Sequence, residues 1–139
     1  MTTRRPPRPS QADYEALSEF RYLIRRFLEF SEQAAGAAGL TARQHQALLA
    51  IRGFPKGHEP TVGALAERLR IRHHSAVELI DRLAAAGLVT RAADPADHRR
   101  VLIGLTERAE ERLAALSLAH LDELDRLEPS LKRILDLRA

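Results

Sequence analysis

Apolar side chains recur at every third or fourth position through most of the chain, and the pattern breaks in one place into two short β-prone runs. Ser10 is placed to cap a first helix, with Asp13 and Glu15 suited to its positive end, and Tyr14, Leu17, Phe20, Ile24, Phe27 and Leu28 form one stripe along it. The stripe holds three of the chain's six aromatic residues and the helix five, which calls for a large packing partner, such as a second subunit. Gly36 and Gly39 are expected to close the helix. Thr41 and Gln44 have capping-box spacing ahead of Ala47, Leu48 and Ile51, the buried side of a second helix. After the turn-rich Gly53–Gly57, Thr61 caps a short helix carrying Val62, Leu65, Ala66 and Leu69. A tight connection, Arg70-Ile71-Arg72, leads to a fourth helix with the stripe Ala76, Leu79, Ile80 and Leu83, ended by Gly87 in a left-handed cap. Leu88–Thr90 and Val101–Leu105, on either side of the turn-like Ala92–His98, predict a hairpin. Thr106 opens a last long helix with Leu113, Leu116, Leu124 and Leu127 on one face and Leu118 and Leu121 on another, which suits burial between two neighbours. Pro129 predicts a kink or stop there, with Ser130 restarting a segment that carries Leu131, Ile134, Leu135 and Leu137.

The sequence therefore predicts a mainly α fold with a small β-hairpin: short helix, tight turn, helix and hairpin, the order of a winged helix-turn-helix. Residues 1–9 form a disordered basic arm (Arg4, Arg5, Arg8), because three prolines and no large apolar residue leave it nothing to pack with. Residues 10–139 form one domain, with a DNA-binding core at about 41–106 and dimerisation helices at about 10–36 and 106–137. With its apolar stripe turned inward, the recognition helix, Arg72–Arg82, exposes Arg72, His73, Ser75, Glu78 and Arg82, with His74 near the edge. These are polar groups at the end of a helix that enters a major groove. The wing, Ala93–Leu102, adds His98, Arg99 and Arg100, with Arg91 just ahead of it. A turn needs acids and prolines for its geometry but has no need of three arginines, and Asp97 is spaced to brace Arg99 toward a narrow groove.

Composition narrows the classes further. A net charge of +3 tolerates a phosphate-rich partner without demanding one. The chain has no cysteine, which excludes disulfides, thiol nucleophiles, cysteine zinc sites and thiol-based sensing. No apolar run approaches the ~20 residues of a membrane span. The arginines near Met1 precede no hydrophobic stretch, so the expectation is a cytoplasmic protein without a secretory signal. No cofactor is called for. An enzyme is not expected: there is no glycine-rich phosphate loop and no nucleophile motif, and Asp94 and Asp97 lie on a polar turn that should leave them solvated. Six histidines raise the alternative of a metal-responsive regulator, but no His-x3-His pair occurs, and His45, His58 and His120 converge only if folding brings them together. A protein-interaction module that has lost DNA binding is the other alternative, against which Arg99 and Arg100 argue.

Four stretches in this order resemble the MarR family of transcriptional regulators. They are Leu40-Thr-Ala-Arg-Gln44, Thr61–Leu69, Ser75–Leu83 followed by Gly87-Leu-Val89 and Arg91, and Asp94-Pro-Ala-Asp-His-Arg-Arg-Val-Leu-Ile-Gly-Leu-Thr106. The last is the most specific, being similar to the family's wing signature of aspartate and arginines leading to Leu-Thr. The resemblance implies a homodimer whose first and last helices intertwine. It also implies recognition helices in successive major grooves, wing arginines in flanking minor grooves, and a pseudo-palindromic operator in double-stranded DNA. For many members it further implies a repressor released by a small aromatic or phenolic effector. The chain departs from the family pattern at Arg72, where a serine-type helix cap is usual, and in the bulky Arg72-His73-His74 run.

Overall fold

The computed structural model describes residues 7–57 and 60–137. Arg4 and Arg5 of the expected arm, and His58, lie outside the described residues. Among the described residues the elements are α1 (Gln11–Ala37), α2 (Ala42–Arg52), α3 (Val62–Leu69), α4 (His73–Ala85), β1 (Val89–Ala93), β2 (Val101–Leu105) and α5 (Glu107–Asp136). The chain divides into two compact units, residues 32–119 and residues 1–31 with 120–139.

In the unit of residues 32–119, local chemistry sets the start of each helix. Thr41 Oγ1 accepts from Gln44 N (3.1 Å) and the Gln44 side chain accepts from Thr41 N (3.0 Å), completing the expected capping box of α2. Thr61 Oγ1 accepts from Ala64 N at 3.2 Å and caps α3. Arg70 ends α3 in the left-handed region (φ 55°), a conformation worth roughly 1–2 kcal/mol of strain in a non-glycine residue. It turns the chain directly toward α4. The expected recognition helix, Arg72–Arg82, is corrected in its bounds: Arg72 is the N-cap residue, its side chain makes no cap bond, and the helix continues to Ala85. Gly87, at φ 73°, then lets Leu88 N bond back to Leu83 O (2.9 Å) and starts the hairpin.

β1 is longer than its sequence suggests. Ala92 and Ala93, read as turn, pair with Leu102 and Val101, and the turn shifts to Asp94–Arg100. Cross-strand hydrogen bonding overrides the weak β-propensity of alanine. The base of the hairpin is tied down at several points: Ile103 N donates to Pro60 O (3.0 Å), Thr61 bridges Leu102, and Thr106 Oγ1 donates to Gly87 O (2.8 Å). The same Thr106 hydroxyl accepts from Ala109 N and so caps α5. The core beneath contains Leu48, Leu65, Ile80, Leu83 and Leu88, all fully buried. Burial of each contributes about 1.5–3 kcal/mol.

The other unit is a pair of helical segments from α1 and α5. Ser10 Oγ accepts from Asp13 N while Asp13 accepts from Ser10 N, so α1 is capped as expected. Ala16, Leu23, Leu127 and Ile134 form its small core, with Phe27, Leu131 and Leu137 against it. Of the expected kink or stop at Pro129, the stop is corrected, since α5 runs through it to Asp136. An interior proline forfeits one backbone hydrogen bond and costs ~3 kcal/mol. Leu127 on one side and Ile134 on the other are held in the same cluster, which offsets that cost. Likewise α1 passes through Gly36 and is closed by Gly39 alone, at φ 77°. The stripe Tyr14, Leu17, Phe20, Ile24 and Leu28 is exposed, and so is Leu124, which was expected on the buried face with Leu127. Among the described residues no helix is long and apolar enough to cross a membrane.

Candidate nucleic-acid interface

α4 buries Ala76, Ile80 and Leu83 and leaves its other side to solvent. Ser75, Glu78 and Arg82 follow one another at spacings of three and four, so they share a face. With Leu79 they line the α4 side of a groove of about 370 Å³. Across it stands the first turn of α2, Thr41 to Gln44. Arg43 is exposed there and brings a second guanidinium to the groove beside Arg82. Sequence reasoning gave this turn only a capping role, and nothing in the local pattern revealed that it faces α4. Arg72, His73 and His74 are exposed at the N-terminal end of α4 but do not line the groove.

The wing arginines have three different settings. Arg99 lies at the tip with its side chain 92% exposed, and Asp97 Oδ1 accepts from both Arg99 N (3.1 Å) and Arg99 Nε (3.3 Å). That is the brace expected from the spacing. Arg100 packs lower, its Nη1 4.0 Å from Asp94 Oδ2. Arg91, on β1, pairs through Nη1 with Asp81 Oδ1 of α4. His98 is exposed beside Arg99.

Asp94 corrects the expectation of a solvated acid, for only 7% of its surface is exposed. Its carboxylate accepts from Ala96 N (2.9 Å), while its backbone N donates to Arg100 O (2.9 Å), and Arg100 N donates to Asp97 O (2.9 Å). Asp94 therefore organises the turn from inside, and Asp97 holds the tip from outside.

His45 and His120 are part of the packing. His45 is buried on α2. His120 stands edge-on to Phe27 and Phe30, with ring centroids 6.0 and 5.3 Å away and its Nε2 2.9 Å from Ser31 Oγ. Among the described residues no three His, Cys, Asp or Glu side chains come together as a metal site.

Residues 38–100, which contain α2, the helix-turn-helix and the wing turn, match the MarR family model. The uncharacterized HTH-type transcriptional regulator YcgE of Bacillus subtilis (strain 168) is 34% identical over 94 residues, covering 68% of this chain. The chain belongs to the MarR family. Members of this family are transcriptional regulators rather than enzymes. The match spans 59% of the length of YcgE. A MarR family protein from Bacillus stearothermophilus has a similar fold, with a TM-score of 0.76 and 23% identity over 88% of this chain and 84% of that one. A mutant MepR of S. aureus bound to an oligodeoxyribonucleotide superposes with a TM-score of 0.65 and 23% identity, over 84% of this chain and 82% of that one. At these identities the likeness is one of fold, here the winged helix with its two-stranded antiparallel hairpin.

Proposed function

We propose that this MarR-family chain is a homodimeric, sequence-specific DNA-binding regulator of the cytoplasm. α4 would lie in the major groove, with Arg72, His73, His74, Ser75, Glu78 and Arg82 toward the duplex. The wing residues Asp97, His98, Arg99 and Arg100 would lie over the adjacent minor groove. The observation that carries this is Arg99: its guanidinium is almost wholly exposed yet held by Asp97 at the hairpin tip. A braced cation surrenders less rotamer freedom on meeting a narrow, negatively charged groove than a free one does. Arg43 and Arg82, flanking the groove between α2 and α4, supply further positive charge for phosphates. The structurally similar MepR, solved with an oligodeoxyribonucleotide, supports the same role.

The second copy is drawn from the exposed apolar side chains of α1 and α5, which a lone chain leaves in water. A twofold dimer reads a pseudo-palindrome with half-sites about one helical turn apart. The protein is a repressor in this view, released by a small aromatic or phenolic ligand, because a chain without cysteine has no thiol to oxidise. A thermal-shift series with aromatic acids tests the ligand, and a melting temperature unmoved by every one of them would remove it. Gel-shift titration against the DNA directly upstream of its own coding region, at several salt concentrations, tests the DNA role.

A further inference from the structure

The exposed ion pair between Asp81 and Arg91 joins two parts that the DNA-binding role requires to act together. Asp81 is on α4, one position before Arg82, and Arg91 is the third residue of β1. The chain reverses between them at Gly87, so ten residues of sequence separation become direct contact. The base of the hairpin is secured by Pro60, Thr61 and Gly87, as described above. From Thr90 to the tip, β1 is exposed, and β2 pairs with it on one side. Arg91 stands opposite Ile103, whose backbone N donates to Pro60 O, and its own side of the hairpin is exposed.

We infer that Asp81 and Arg91 are positioning residues, a strut that fixes the wing against the recognition helix, and that Arg91 acts on DNA through Asp81 rather than by touching it. The inference rests on the DNA-binding role proposed above for the partner, but not for the strut itself. An arginine committed to a carboxylate is poorly placed to release counterions from phosphates. A carboxylate on the groove-facing helix would by itself repel DNA, so Asp81 needs a different reason to be there. Holding Arg91 gives one: the pair neutralises the acid, and a planar guanidinium on a fixed strand sets the spacing between helix and wing. Exposed ion pairs add little to global stability, so the consequence appears in the hairpin's local order and in groove fit.

The sign of one substitution separates the two roles of Arg91. If Arg91 touches DNA, Asp81→Asn removes a repulsive charge and frees a cation, so binding tightens and its salt dependence steepens. If the pair is a strut, Asp81→Asn and Arg91→Gln each weaken binding to the upstream duplex about fivefold at 150 mM salt, with the wild-type salt slope. The double variant is then no weaker than either single one, and the exchanged pair, Asp81→Arg with Arg91→Asp, recovers most of the loss. Binding to an unrelated duplex of equal length stays as it was. Amide hydrogen exchange without DNA reads the strut independently. Both single variants should speed exchange in residues 89–93 and 101–105, and the exchanged pair should slow it again. Unchanged exchange overturns the strut, as does tighter binding by Asp81→Asn, or a salt slope that falls by about one in Arg91→Gln alone. If wild-type protein shows no preference for the upstream duplex while exchange behaves as expected, the strut stands and the DNA role falls.

Discussion

The unit of residues 32–119 and the unit of residues 1–31 with 120–139 use the same residue types in opposite ways. In the former, Leu48, Leu65, Ile80, Leu83 and Leu88 are sealed away, and the groove side of α4 and the wing tip are left polar. In the latter, Ala16, Leu23, Leu127 and Ile134 make a thin core, while Tyr14, Leu17, Phe20, Ile24, Leu28, Leu121, Leu124 and Leu135 remain exposed. A unit that closes its own core can spend its surface on recognition. One that displays its aliphatic and aromatic side chains leaves apolar surface that an interaction could cover. On the function proposed above, the first would meet DNA and the second would meet another subunit.

The contrast is tested most severely by charging the displayed side. Phe20→Glu with Leu124→Glu removes two large apolar groups from the proposed interface. The dimer should be weakened by ~3–6 kcal/mol, about 1.5–3 for each, and sedimentation should show monomers. Helical content should fall little, because neither side chain belongs to the buried cluster. Dimers of unchanged affinity would mean that the exposed stripe serves something else. Leu83→Ala makes the complementary test in the sealed unit. It opens a cavity beneath α4 and should cost about 2–5 kcal/mol in chemical denaturation. A loss below about 1 kcal/mol would show that core to be loosely packed.

How much of this was visible in the sequence follows from the range of the interactions. Caps at Ser10, Thr41, Thr61 and Thr106 are contacts between residues three apart, and glycine ends at Gly39 and Gly87 depend on single φ angles, so spacing alone predicts them. The Asp97 brace on Arg99 is equally local. What escaped was decided at a distance. Pro129 stays helical because Leu127 and Ile134 share one cluster with α1 residues more than a hundred positions away. Asp94 is buried because the turn folds over it, and Ala92–Ala93 are strand because β2 is there to pair with them. Arg91 looked the same as Arg99 in the sequence; only the reversal at Gly87 brings it to Asp81. Arg43 was likewise indistinct until α2 and α4 came to face each other.

A smaller effect distinguishes tip from base within the wing. Arg99→Ala should weaken specific binding by ~1–3 kcal/mol and lower the salt slope by about one, with no change in thermal stability. An unchanged affinity in a folded dimer would remove the tip from the interface and leave α4 to carry recognition.

The central claim, that this winged helix reads DNA sequence, is tested most directly by comparing two duplexes at 50 and 200 mM salt: the segment upstream of the chain's own coding region and an unrelated one of equal length. The upstream duplex should bind at least about 10³-fold more tightly at the higher salt, with both affinities falling as salt rises. Equal affinities at both salts, or no binding to either duplex, would contradict it.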